Sequence, residues 1–234
     1  MKRNNSLPGF YIVFEGIIGS GKSVQAKLLG ETLRIDYPWA GVVNTYEPGG
    51  VPEAEELRAI LKNQQLTGEE EVELFIKSRS ITLPRVVRSA LGERKIIISD
   101  RSFLTSTAYQ GEGRGMGLED VWDRNMKVIA GTFPDCVVYI NVGMEQAIAR
   151  SGKVNPDKFD KEGKDFWNRV INGYELTLRK LREENPDTEI IRIEDPDGKL
   201  SIVRTHELIY SRVGDLLREW AISSEGRIVG ERQR

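Results

Sequence analysis

Chemistry that depends on cysteine or histidine has almost nothing to work with in this chain. Its 234 residues include one cysteine, Cys136, and one histidine, His206. A single cysteine builds neither a disulfide framework nor a thiolate metal site, and one histidine excludes a histidine-rich one. Both read as structural: Cys136 sits inside the apolar run CVVYINV, and His206 falls in a late helical stretch as a partly exposed residue. The cysteine content fits a reducing compartment, so a cytoplasmic location is the expectation. An excess of charge of either sign is missing too. Lys plus Arg total 34 against 36 Asp plus Glu, with no dense basic stripe, which argues against a nonspecific nucleic-acid binder. No apolar run approaches the roughly 20 residues needed to cross a bilayer. The segment FYIVF after the basic N-terminus is too short for a signal segment and stops at Glu15. Internal repeats, low-complexity tracts and an interdomain linker are absent as well. Any polyanion handled here must be met by local positive charge.

What is present is an alternation. Five β-rich runs, FYIVFE (10–15), GVVNTY (41–46), KIIIS (95–99), CVVYINV (136–142) and EIIRI (189–193), are separated by helical patterns. Near-continuous Val and Ile suit strands covered on both faces, as in a parallel sheet. A helix over 23–34 shows Val24, Leu28, Leu29 and Leu33 as one face. Phe166, Val170, Tyr174, Leu178 and Leu181 mark a long amphipathic helix, and Leu200 to Trp220 another. The expected fold class is a three-layer α/β domain over residues 1–222. Pro84, inside the helical stretch 69–91, predicts a kink or break. The polar stretch 150–164 reads as a mobile lid and 223–234 as a loose tail.

The most informative segment is FEGIIGSGKS (14–23), in which Gly16 is followed after four residues by Gly21-Lys22-Ser23. This is a Walker A pattern, and it lies where one is expected, between an apolar strand and an amphipathic helix. A loop that wraps a polyphosphate needs main-chain N–H groups turned inward, which its glycines permit. Residues Gly16, Ile17, Ile18, Gly19, Ser20, Gly21, Lys22 and Ser23 are therefore the expected ATP-binding set. The following helix aims its positive end at the phosphates. Lys22 is expected to bridge the β- and γ-phosphates and Ser23 to ligate Mg²⁺. Asp100 and Arg101 close the third strand at its carboxyl edge, where ligands of open α/β sheets gather. Asp100 is a second candidate for Mg²⁺, and the planar fork of Arg101 suits a phosphate.

After DRS comes FLTSTAYQGEGRGMG, with hydroxyls, an amide and an aromatic ahead of a glycine-rich turn. Here the chain resembles the thymidylate kinase family, of the bacterial type, across roughly residues 10–220. The P-loop, EPGG (47–50), LFIKSR (74–79), DRSFLTSTAYQGEGRG (100–115) and DKFDKEGKDFWNRV (157–170) occur in the family's order. The resemblance implies a five-stranded parallel sheet of order 2-3-1-4-5, a homodimer, and phosphoryl transfer from ATP to dTMP. By resemblance Phe75 stacks on the base and Arg79, four residues on and on the same helix face, donates to a base carbonyl. Ser106 and Gln110 lie near the base, Gln110 reading its polar edge. Arg58 and Arg101 meet the acceptor phosphate, and Tyr109 packs by the sugar. Lid cations, Arg150 and Lys153 with Lys158 behind them, serve the transferring group, because the P-loop has no arginine.

A nucleotide acceptor needs no general base, whereas a nucleoside hydroxyl does. Glu47 stands where such a base would be, so a deoxynucleoside kinase remains the alternative, beside an accessory protein that binds nucleotide without transfer. Three positions depart from the family pattern. Ile18 stands where an acidic residue is common, Tyr46 where an arginine is usual before EPGG, and Ser102 where an aromatic or histidine is commoner. They bear on the acceptor, not on the donor loop.

Overall fold

β-Branched residues crowd the five runs, and the three at the middle of the sheet are buried almost throughout while the two at its edges are buried in part. In the computed structural model, which describes residues 7–151, 159 and 162–231, the runs form β1 (Phe10–Glu15), β2 (Val42–Tyr46), β3 (Ile96–Asp100), β4 (Cys136–Val142) and β5 (Glu189–Asp195). The sheet is parallel throughout, in the order β2-β3-β1-β4-β5, as the resemblance implied. Ile12, Val13, Ile96, Ile97, Val137 and Val138 are fully buried. Burial of each such side chain stabilises the sheet by about 1.5–3 kcal/mol. The free thiol of Cys136 shares that interior; burial pushes its pKa up, which keeps it an unreactive thiol.

The connections are helical: α1 (Lys22–Asp36), α2 (Pro52–Asn63), α3 (Gly68–Thr82), α4 (Ser89–Gly92), α5 (Phe103–Ser106), α6 (Leu118–Ile129), α7 (Met144–Ser151), α8 (Lys164–Glu184) and α9 (Ile202–Glu231). The start of α3 is set by a capping box, Thr67 accepting from Glu70 N while Glu70 Oε2 accepts from Thr67 N at 2.7 Å. All five apolar residues expected on the α8 face are buried. On α1 the buried stripe is Lys22, Gln25, Ala26, Leu29, Gly30 and Leu33. Val24 departs from the expected face: it is 45% exposed, because it falls outside that i, i+3, i+4 stripe.

Pro84 does not break the helical stretch, which runs on without a gap from α3 to α4. It lies in a π-helical segment, Leu83–Arg88, between α3 and α4. Proline has no N–H to give to the preceding turn, and a locally widened helix absorbs that loss. A second π-helical segment, Thr107–Gly113, follows α5 and carries Tyr109 and Gln110. Residues 223–231, expected as a tail, continue α9; 232–234 lie outside the described residues. Among the described residues no helix is long and apolar enough to cross a membrane.

Register matters for function. Tyr46 of β2 and Phe14 of β1 both lie beside Asp100 of β3. The carboxyl ends of three adjacent strands therefore deliver Glu15, Tyr46, Glu47, Asp100 and Arg101 to one edge of the sheet.

Candidate functional site

The loop between β1 and α1 takes left-handed backbone at Gly16, Gly19 and Gly21, with φ of 145°, 73° and 91°, conformations that L side chains avoid. At Gly19 a Cβ would also lie 1.9 Å from Ala147 O of α7. Two tyrosines hold the loop from outside. Ile18 N–H donates to the Tyr109 hydroxyl at 3.1 Å, and the Tyr174 hydroxyl of α8 lies 3.1 Å from Gly16 O. Lys22 is buried and donates to Ile17 O at 3.1 Å. Ser23 Oγ donates to Asp100 Oδ2, while Asp100 Oδ1 is buried without a partner among the described residues. An orphaned carboxylate oxygen beside a serine hydroxyl is a hard-oxygen pair of the kind Mg²⁺ takes together with phosphate oxygens. Among the described residues no cluster of three or more His, Cys, Asp or Glu offers another metal site.

Two cavities meet at this loop. The first, about 680 Å³, is lined by Ile18, Arg58, Phe75, Arg101 and Tyr109, with Glu47 and Asp100 also in its wall. The second, about 540 Å³, lies on the other side, between the loop, Arg150 and the start of α9 at Ile202 and Thr205. Val24 belongs to its wall, which accounts for its exposure. Gly19, Lys22 and Ser23 line both.

Arg101 adopts φ 78°, a strained conformation for a non-glycine residue. It is held there by its N–H to Phe14 O at 2.9 Å and by Ser99 Oγ to its carbonyl at 2.7 Å. Its guanidinium lies 5.3 Å from the Tyr109 ring centre. Burial disfavours that charge, but Tyr109, Tyr174, Asp100 and Glu15 more than compensate, and the pKa is raised. Glu15 is fully buried and accepts from Ser102 Oγ at 2.7 Å and Thr105 Oγ1 at 2.5 Å. Burial raises its pKa against the lowering pull of those hydroxyls and Arg101. Ser102, one of the departures from the family pattern, thus serves the local structure by capping α5 and pinning Glu15.

Tyr46, the second departure, supports Arg58. The guanidinium lies 4.9 Å from the Tyr46 ring centre, and Arg58 Nη1 donates to Pro48 O at 2.7 Å. Gly49, at φ 130°, packs on the same ring; a Cβ there would lie 2.4 Å from Tyr46 Cε2. Ile18, the third departure, gives the first cavity an apolar wall.

At the inner end of the first cavity the sequence-based expectations divide. Phe75 and Tyr109 line it. Arg79 does not: it is buried behind Glu47, with Nε donating to Glu47 Oε2 at 2.7 Å and Nη1 to Asn125 Oδ1. Its Nη2 has no partner among the described residues. Burial raises the Glu47 pKa and Arg79 lowers it, with burial dominant. Gln110 is buried in the same way, its Nε2 on Glu71 Oε2 at 2.9 Å and its Oε1 unpartnered there. Ser106 is committed elsewhere, donating to Phe103 O at 3.0 Å and accepting from Asn125 Nδ2 at 3.1 Å. It belongs to α5 and Gln110 to the π-helical segment, so their spacing of four does not put them on one face as it would in an α-helix. Arg150 stands in the second cavity, where Nη2 donates to Gly198 O at 2.8 Å. Lys153 and Lys158 lie outside the described residues, as does most of the expected lid.

Sequence reasoning missed Glu15, Glu71, Asn125 and Tyr174. Glu15 left a signal, an acid closing an otherwise apolar strand. Glu71 also left one, since it precedes Phe75 by four residues on the buried stripe of α3. Nothing local marks Asn125 or Tyr174.

Comparison with known proteins agrees with this geometry. The thymidylate kinase family model matches residues 14–196. A thymidylate kinase of Mesomycoplasma hyopneumoniae (strain J) is 37% identical over 177 residues, covering 73% of this chain and 84% of that protein. One from Fervidobacterium nodosum is 37% identical over 202 residues, covering 85% and 95%. The crystal structure of thymidylate kinase from Ehrlichia chaffeensis superposes with a TM-score of 0.66 at 28% identity, covering 90% of this chain and 98% of that one. With the family model spanning most of the chain and relatives 37% identical over most of their length, the chain belongs to the thymidylate kinase family.

Proposed function

We propose that this chain transfers the γ-phosphoryl group of ATP to dTMP, giving dTDP and ADP. The observation that carries the reading is the meeting of two cavities at Lys22 and Ser23, with Arg58 and Arg101 in the wall of only one of them. The second cavity takes ATP, its phosphates on the main-chain N–H groups of 16–23 and Arg150 beside it. The first takes dTMP, its phosphate on Arg58 and Arg101, its base against Phe75, its sugar by Tyr109. Ser23 and Asp100 hold Mg²⁺, which offsets charge between the two phosphate groups. Lys22 leaves Ile17 O for the transferring group and stabilises its charge, in a site where fixed cations replace water. An ionised phosphate is already a nucleophile, so no side chain has to take a proton.

The deoxynucleoside kinase reading makes Glu47 the general base. Arg79 occupies one of its oxygens at 2.7 Å, so that oxygen is engaged away from a substrate hydroxyl, while the two cavity arginines suit an anionic acceptor. Initial rates with dTMP, dUMP, dCMP, dGMP and thymidine at fixed ATP and Mg²⁺ decide the matter. dTMP should be the best acceptor; faster turnover of thymidine, or transfer to none of them, sinks the proposal. Lys22→Ala should lower kcat by at least about 10²-fold with an unchanged circular dichroism spectrum. The chain is further proposed to be cytoplasmic and homodimeric, the latter by family resemblance and open to sedimentation analysis.

A further inference from the structure

Behind the wall of the first cavity, where Arg79 holds the wall residue Glu47 and Gln110 follows the wall residue Tyr109, two buried atoms lack partners among the described residues, and they are of opposite kinds. Arg79 Nη2 is a donor and Gln110 Oε1 an acceptor. A buried polar atom left unpaired is costly. The guanidinium cannot lose its proton, and its Nε and Nη1 are occupied by Glu47 and Asn125. What Nη2 offers is therefore fixed.

A glutamine has no such fixed identity, because rotation about its last bond exchanges oxygen and nitrogen. Here the rotation is blocked. Gln110 Nε2 faces Glu71 Oε2 at 2.9 Å, and an ionised carboxylate only accepts. Turning the amide would set two oxygens against each other in a buried place. Glu71, itself fully buried, is braced by Arg114, whose Nε and Nη2 reach its two oxygens at 3.1 and 3.2 Å. Burial opposes the charge on Arg114, and Glu71 and Glu162 more than compensate, leaving its pKa raised.

We propose that Glu71, braced by Arg114, sets base selectivity by locking Gln110 as a hydrogen-bond acceptor. The site then admits a pyrimidine edge that presents an N–H beside a carbonyl and refuses the cytosine edge. This rests on the proposed function and on the role the family resemblance gives Gln110 and Arg79 at the base. The base reaches them past the wall residues Glu47 and Tyr109 that stand in front of them. Thymine offers N3–H to Oε1 and O4 to Nη2. Cytosine turns the bare N3 lone pair toward the oxygen and its amine toward the guanidinium, two mismatches at once. Uracil shares the thymine edge, so the lock does not distinguish dTMP from dUMP. Glu71 touches neither substrate; it is a positioning residue.

The test is Glu71→Gln, in which an amide faces Gln110 with either end and releases the lock. The ratio of kcat/KM for dTMP over dCMP should fall about tenfold, the scale of one hydrogen bond, mainly through the KM of dTMP. The dTMP to dUMP ratio and the KM for ATP should hold. A merely structural role would lower all three acceptors together, and that result overturns the proposal. Gln110→Met separates the two readings. If it leaves the dTMP to dCMP ratio unchanged, Gln110 does not meet the base. If it lowers the ratio while Glu71→Gln does not, the role of Glu71 alone falls. In the double variant, Glu71→Gln should add nothing to Gln110→Met. For a Glu71→Gln protein that does not fold, the wild-type crystal structure with dTMP decides. Gln110 Nε2 on Glu71 with Oε1 on N3 upholds the lock, and a turned amide or an N3 facing elsewhere refutes it.

Discussion

Arg58 reaches the first cavity from α2, and a ring rather than a carboxylate supports it. Tyr46 lies under the guanidinium, whose hydrogen bond goes to a carbonyl, Pro48 O. Among the described residues no carboxylate forms an ion pair with Arg58, and it lines the first cavity. Arg58→Ala should raise the KM for dTMP roughly 10- to 100-fold, as expected for a charge-assisted hydrogen bond of about 1.5–3 kcal/mol, with little change for ATP. Tyr46→Leu should raise it only about 2- to 5-fold, since an exposed cation–π contact contributes about 0.5–1 kcal/mol, and Tyr46→Phe should behave as wild type. Initial rates against dTMP at saturating ATP measure all three, and an unaltered KM in Arg58→Ala removes that residue from the site. Residues fixed by local backbone, such as Lys22, Ser23, Asp100 and Arg101, were legible in the sequence. The partners of Arg79 and Ser106 were not. Glu47 and Asn125 arrive from segments 32 and 46 residues away from Arg79; helical spacing tells which side a residue faces, and not what waits there.

Among the elements, α1 and α9 together shape the second cavity, and one contact between them titrates. Thr32 Oγ1 donates to Leu28 O at 3.0 Å, so in its 3.0 Å contact with His206 it accepts from Nε2–H. The ring is then neutral, with Nδ1 buried and unpartnered among the described residues. Burial lowers the His206 pKa, with Glu207 pulling the other way. The unfolded chain therefore takes up the proton more readily. His206 contributes stability above its unfolded value, about 6.5, and that contribution is lost as pH falls from there toward the folded value. Glu15 and Glu47, raised by burial, act oppositely, costing stability as pH rises from their unfolded values. Comparison of melting temperatures at about pH 7.5 and 5.5 isolates the histidine: His206→Gln should lose less on acidification than wild type, and an equal loss refutes the assignment. Strand positions were legible to within about two residues, because buried parallel strands leave dense β-branched runs. The π-helical segments were not, since widening by one residue per turn has no signature beyond Pro84, and the second segment lacks even that.

For the whole molecule, the expected strand order is the one observed. Alternation along the chain gives an α/β domain but not the order of its strands; that came from the resemblance, and register then puts the carboxyl ends of β1, β2 and β3 side by side. Two chambers with one shared wall, at Gly19, Lys22 and Ser23, are the product. With ATP in one and dTMP in the other, as proposed, the two phosphate groups face each other across that wall and the two bases lie on opposite sides of it. An adenosine and a thymidine joined through one oligophosphate tether should therefore occupy both chambers at once. Its dissociation constant in calorimetry should lie at least about 10²-fold below that of ATP or dTMP alone. A tether two phosphates too short should lose that gain, because one of its ends would be left short of its chamber.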